Sequence, residues 1–157
     1  MTRVNMNQVV NEGLYFLESR CAKEGIRLVR QLASSLPEVT ADPSQMTQVL
    51  VNTTVNAIQA MPTGGTLTVK TQATENFVLL TIVDTGVGMD KNVMRQIFQP
   101  FFTTKDVGMG TGLGLSVVYG IITSHGGAIE VDSKLGQGTK ITIKLPYEES
   151  IHMKGEA

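Results

Sequence analysis

The sequence has little of what ties a chain to a disulfide, a metal, a membrane or a nucleic acid. Its 157 residues include one cysteine, Cys21, and two histidines, His125 and His152. A single thiol excludes an internal disulfide and any all-cysteine metal site, and two histidines far apart in sequence make a poor metal pair. So few thiols fit a reducing compartment, and a cytoplasmic location is expected. Thirteen Lys and Arg against fourteen Asp and Glu leave a formal charge of −1. The basic excess of a nucleic-acid binder is therefore lacking. No apolar run approaches the roughly 18 residues of a membrane span, and no signal-peptide pattern opens the chain, so no membrane contact is expected. The lack of tryptophan excludes nothing. With 41% apolar and 17% charged residues, the composition is that of a globular domain with a proper core.

Apolar periodicity then divides the chain. From Asn5 to about Lys23, Val9, Val10, Leu14, Leu17 and Cys21 recur at helical spacing. Ile26 to Ala33 alternates and reads as a strand. A strong helix start follows, with Asp42 as N-cap, Pro43 at the first position and Gln45 placed to complete a capping box. That helix runs to about Met61. The turn from Pro62 to Gly65 leads into a half-exposed strand, Thr66 to Ala73, then into Phe77 to Asp84, apolar enough for a central strand buried on both faces. Asp90 caps a short helix reaching Phe98. A second apolar helix, Leu113 to His125, closes on Gly126 and Gly127. The last element is a hairpin turning at Leu135 to Gly138. Residues 1–147 form one domain and 148–157 a polar, loose tail. The order of elements predicts an α+β two-layer sandwich, with a mixed, mostly antiparallel sheet covered on one face by about three helices.

Four constellations bear on chemistry. Asn52 and Asn56 stand one turn apart on the capped helix, and two asparagines in an otherwise apolar helix need a reason. Each satisfies a neighbouring backbone group, or an amide oxygen holds a hard cation such as Mg²⁺. Asp84 ends the most apolar strand and is followed by Gly86 and Gly88. An aspartate accepts hydrogen bonds, so it suits the exocyclic amine of adenine and opposes the carbonyl of guanine. The plain alternative is an Asx-type turn. Gly108, Gly110, Gly112 and Gly114 open the last helix, where free backbone N–H groups and the helix dipole can cradle phosphate. The alternative there is a loop without a ligand. Neither a Walker P-loop nor a Rossmann fingerprint fits the spacing. Between these motifs, Phe98, Phe101 and Phe102 pin the base of a loop or pack the core, while Thr103, Thr104 and Lys105 offer donors and a positive charge.

Taken in order, these segments resemble the ATP-binding catalytic domain of two-component sensor histidine kinases, within the GHKL superfamily. QVLVNTTVNAIQAM resembles the asparagine box, DTGVGM the first glycine box, FQPFFTTK the phenylalanine box and GTGLGL the second glycine box. Gly136 to Thr139 resembles the last glycine element, and the likeness runs from about Asn5 to Pro146. It implies a Bergerat-type ATP-binding fold and the cofactors ATP and Mg²⁺. It further implies Asn56 as metal ligand, Asn52 as its polar neighbour near the phosphates, and Asp84 on the adenine amine with Thr139 in support. Gly86 and Gly88 would shape the adenine wall. Lys105, Gly110, Thr111, Gly112, Leu113 and Gly114 would hold the phosphates, and Phe98 to Gly112 would form the ATP lid.

The resemblance implies transfer of the γ-phosphoryl group to a histidine, with Asn52, Asn56 and Lys105 as the catalytic set. Where hydrolysing members of the superfamily carry a glutamate base, this chain has Asn52, so slow hydrolysis by the chain itself is expected. Gln59 replaces a basic residue that many sensor kinases carry, which puts more of the phosphate charge on Lys105. The helical hairpin that bears the phosphoacceptor histidine is absent, and neither His125 nor His152 lies in such a context. The expected partners are therefore that dimerisation domain on a separate or missing segment and, through the full-length kinase, a response regulator. The chain itself is expected to be a monomer. The competing readings are a GHKL serine kinase of the anti-sigma class and a nucleotide-sensing module without catalysis.

Overall fold

The computed structural model describes residues 1–98 and 114–147. In chain order its elements are β1 (Thr2–Val4), α1 (Met6–Tyr15), α2 (Glu18–Lys23), β2 (Ile26–Gln31), β3 (Val39–Ala41), α3 (Pro43–Gln59), β4 (Gly65–Ala73), β5 (Phe77–Asp84), α4 (Lys91–Gln96), α5 (Gly114–Ser124), β6 (Ala128–Lys134) and β7 (Gly138–Pro146). The main sheet runs β2-β4-β5-β7-β6, with β1 and β3 as a separate small pair. Only β2 and β4 are parallel; the other neighbours are antiparallel. A parallel pair needs a crossover, and β3 with α3 supplies it. The expected mixed, mostly antiparallel sheet is therefore what forms.

Alternation along the strands decides which face the helices cover. Leu67 and Val69 of β4, Val78, Leu80 and Ile82 of β5, and Ile141, Ile143 and Leu145 of β7 all lie on one face and are buried. Against them pack Val10 and Leu14 of α1, Met46, Leu50, Ala57 and Ile58 of α3, and Val118 and Ile122 of α5. The other face carries Thr68, Lys70, Lys140 and Lys144, half-buried or exposed. Leu79 and Val83 of β5 are also only half-buried, so the central strand is covered fully on one side, not on both as its composition predicts. The helix layer is close-packed. A Cβ on Gly13 would lie 2.4 Å from Leu50 Cδ2, which explains a glycine inside α1 despite its roughly 1 kcal/mol propensity cost.

Helix α3 is the element best written in the sequence. Asp42 Oδ1 accepts from Gln45 N–H at 3.2 Å, and Pro43 occupies the first turn. The capping box is not closed by Gln45, however. The Asp42 N–H donates instead to His125 Nε2 at 3.2 Å, while His125 Nδ1 meets the Ile121 carbonyl at 2.8 Å. A backbone N–H can only donate and a carbonyl only accept, so the proton sits on Nδ1. The imidazole thus joins the end of α5 to the start of α3. Buried Thr53 and Thr54 turn their hydroxyls back to Val49 and Leu50 carbonyls, which satisfies them inside the core.

Two local expectations change. The single helix from Asn5 to Lys23 is divided at Phe16 and Leu17, where Leu17 N–H bonds Leu14 O at 2.9 Å. Both residues keep right-handed helical angles, so Leu14, Leu17 and Cys21 remain on the buried side as their spacing predicts. The β1–β3 pair was unpredicted, being three residues on each side. Among the described residues no helix is long and apolar enough to cross a membrane.

Candidate functional site

The site is built where β5 ends. Asp84 continues the inward-facing row of Val78, Leu80 and Ile82 and is only 6% exposed. Its Oδ1 accepts the Gly86 N–H at 2.8 Å, the Asx turn that the sequence allows. Burial raises the carboxyl pKa, while hydrogen bonds from the Gly86 and Thr139 backbone work in the opposite direction. A desolvated carboxylate held by backbone N–H groups is costly to fold around, and it offers acceptor capacity to a hydrogen-bond donor.

The loop after Asp84 is tied on both sides. Val87 N–H bonds the Ala60 carbonyl at the end of α3 at 2.9 Å, and Val87 O accepts from Gly136 N–H at 2.7 Å. The glycines have a steric reason to be there. A Cβ on Gly86 would lie 2.2 Å from Ala60 O, and one on Gly88, whose φ is +70°, would lie 2.0 Å from Lys134 O. In this structure, then, the close approach is of backbone to backbone, which seats the loop between α3 and the β6–β7 turn.

This seating also ties the loop to the last turn of α3. Asn56 is in the last turn of α3, its carbonyl bonded by Ala60 N–H, and Ala60 in turn holds Val87. Asn52, one turn earlier, donates from Nδ2 to the Gly114 carbonyl at 3.4 Å, at the start of α5. Both residues are half-buried. Asn56 carries a neutral amide oxygen, a donor type that fits a hard cation.

Thr139 lies opposite Asp84 in the β5–β7 ladder. Its hydroxyl is 2.9 Å from Ser133 Oγ, which also accepts Met89 N–H at 2.9 Å and donates to Gly138 O at 2.8 Å. Ser133 was not anticipated. The signal for it is in the sequence: β6 faces inward at Ile129, Val131 and Ser133, and a hydroxyl closes an otherwise apolar row. Asp84 and Thr139 are thus paired at the end of β5, Gly86 and Gly88 lie in the loop that follows, Asn56 is linked to that loop through Ala60, and Asn52 is linked to Gly114 at the start of α5. Lys105, Gly110, Thr111, Gly112 and Leu113 lie outside the described residues, as does the expected lid apart from Phe98, and so does the expected tail. Phe98 itself packs on Tyr119 of α5, with ring centroids 5.4 Å apart.

Residues 41–149 match the family described as histidine kinase-, DNA gyrase B-, and HSP90-like ATPase. Sensor kinase CckA of Brucella abortus (strain 2308) is 43% identical over 148 residues, covering 85% of this chain and 16% of that protein. The chain spans between 16% and 31% of the length of the curated relatives it matches. Among solved structures, the nucleotide-free catalytic domain of histidine kinase ThkA superposes with a TM-score of 0.84 at 30% identity, covering 95% of this chain and 97% of that one. The same kinase in complex with response regulator protein TrrA gives 0.79 at 27%, covering 92% and 41%. Full-length ShkA in complex with AMPPNP gives 0.83 at 27%, covering 93% and 31%.

Proposed function

This chain belongs to the family of histidine kinase-, DNA gyrase B- and HSP90-like ATPases, and on that premise we propose that it binds Mg–ATP and donates the γ-phosphoryl group to a histidine on a phosphoacceptor dimerisation domain outside these residues. The observation that carries this reading is Asp84. A buried carboxylate at the end of the central strand, held by backbone N–H groups, has acceptor capacity left for the amine of adenine. A guanine carbonyl would face it acceptor to acceptor, at a cost of about 1–3 kcal/mol.

The other residues divide the remaining work. Gly86 and Gly88 keep the loop thin where it passes over α3 and β6. Asn56 would hold Mg²⁺ with help from phosphate oxygens and water, and Asn52 stands beside it towards α5. Bound magnesium would supply charge neutralisation at the phosphates. Lys105, Gly110, Thr111, Gly112, Leu113 and Gly114 are assigned to the phosphates. An amide cannot take a proton from water, so Asn52 favours transfer to a protein acceptor over hydrolysis. The complexes of ShkA with AMPPNP and of ThkA with a response regulator protein support nucleotide binding and a response-regulator partner for the longer protein. We place the domain in the cytoplasm and expect a monomer by light scattering. No observation favours the serine-kinase or non-catalytic readings.

Calorimetry with ATP, GTP and ADP, with and without Mg²⁺, tests the binding step on wild type and Asp84→Asn. Mg²⁺-dependent ATP binding, weak GTP binding and loss in the variant are expected. Equal affinity for ATP and GTP would overturn the reading. Transfer is tested with a supplied acceptor domain, where an acid-labile phosphate marks histidine and an acid-stable one marks serine.

A further inference from the structure

Ser133 is not among the residues that the resemblance assigns a role, yet its hydroxyl has every valence accounted for. A serine oxygen has one hydrogen and two lone pairs. The Gly138 carbonyl, 2.8 Å away, can only accept, so it takes the hydrogen. The Met89 N–H, 2.9 Å away, can only donate, so it takes one lone pair. The second lone pair faces Thr139 Oγ1 at 2.9 Å. Thr139 must therefore be the donor in that pair, and its single hydrogen is spent on Ser133. What Thr139 has left is lone pairs.

Thr139 is the cross-strand partner of Asp84, and Ser133 is the cross-strand partner of Thr139. The three side chains share the helix-covered face, with 6%, 7% and 8% exposure for Asp84, Thr139 and Ser133. Little water reaches them to reorient a hydroxyl. Left to rotate, the Thr139 O–H would serve either a donor or an acceptor. Held by Ser133, it serves donors only, as does the Asp84 carboxylate beside it.

We propose that Ser133 is a positioning residue for base selection: by taking the Thr139 hydrogen it makes Asp84 and Thr139 a pair of acceptors, which admits an exocyclic amine and rejects a ring carbonyl. This deepens the adenine reading of the Asp84 site and rests on it. A site built to pair one polar group discriminates against its inverse because buried lone pairs would otherwise face each other.

The test compares ATP with inosine triphosphate, which carries a carbonyl in place of the six-position amine, on the full chain. Dissociation constants are measured for wild type, Ser133→Ala, Ser133→Thr, Thr139→Val and the Ser133→Ala/Thr139→Val double variant. In Ser133→Ala the freed Thr139 O–H can turn to a carbonyl. The preference for ATP should narrow about five- to tenfold, mainly through tighter inosine triphosphate binding. Ser133→Thr should restore the preference, and in the Thr139→Val background Ser133→Ala should leave the ratio unmoved. A merely structural serine would weaken both ligands alike, because Met89 and Gly138 lose a partner whichever base is bound. An unchanged ratio in Ser133→Ala, with wild type still preferring ATP, would overturn the role of Ser133 alone. Wild type that binds both nucleotides equally, or neither, would overturn the adenine reading and this inference with it. If Ser133→Ala does not fold, Ser133→Cys, whose thiol is a weak donor and acceptor, is expected to show the same narrowing at smaller size.

Discussion

Two aspartates, each on the residue that joins a loop to a regular element, show how differently one side chain can be used. Asp42 begins α3: its carboxylate accepts from Gln45 N–H, its own N–H goes to His125, and its carbonyl takes Met46 N–H. Its hydrogen bonds serve the helix start and its join to α5. Asp84 ends β5 with one oxygen on Gly86 N–H and a carboxyl pKa raised by burial. Burial there costs stability instead of adding it. A desolvated carboxylate held by backbone N–H groups is what a binding site uses and a scaffold does not need. One region is closed on itself; the other keeps acceptor capacity at a buried carboxylate.

The sharpest break in this contrast comes from removing the charge at Asp84. Asp84→Asn is expected to lower ATP affinity by at least about 100-fold, or about 3 kcal/mol, with an unchanged or higher melting temperature. Calorimetry and thermal melts on the same sample check both halves. A variant that lost binding and stability together would make Asp84 a second structural aspartate. Next in size, Gly88→Ala places a Cβ against the Lys134 carbonyl at φ +70°. Urea unfolding should show a loss of about 2 kcal/mol, and ATP binding should weaken as Met89 leaves Ser133.

Asp42→Ala is the mirror experiment. Loss of the cap should cost about 1 kcal/mol in urea unfolding while the dissociation constant for ATP stays within error. A change in affinity would mean that the start of α3 is coupled to the site. The smallest effect is a slope. Between the ordinary carboxylate range and the raised value of Asp84, the folded chain binds more protons than the unfolded one. The Asp84 contribution to stability therefore falls as pH rises through that window and levels off above it. Nucleotide-free wild type should lose stability relative to Asp84→Asn over that window, as read by melting temperature against pH.

How much of this was written in the sequence differs by element. The start of α3, the end of β5 at Asp84, the Asp90 cap of α4 and the β6–β7 turn were all legible. Each rests on local chemistry: a cap, an apolar run, or a turn composition. The division of α1 from α2 was not legible, because Leu14, Leu17 and Cys21 keep helical spacing through it. Nor was the β1–β3 pair, whose three-residue strands carry no usable period. His125 offered no sign of its bond to Asp42, 83 residues away. Ser133 offered only a hydroxyl in an inward-facing row, with its meaning supplied by Met89 and Thr139.

The sequence by itself determined the order of the main helices and strands, the helical spacing of apolar residues in the helices, and the residue types gathered at the end of β5. Spacing and capping act over a few residues and need no knowledge of the rest of the chain. Only the tertiary structure decided that Asp84 is buried against its own charge, that the Gly86–Gly88 loop is thin because Ala60 and Lys134 press on it, and that Ser133 holds the Thr139 hydroxyl. Desolvation, steric contact and the direction of a shared hydrogen depend on which distant groups fold together, and no local pattern encodes them.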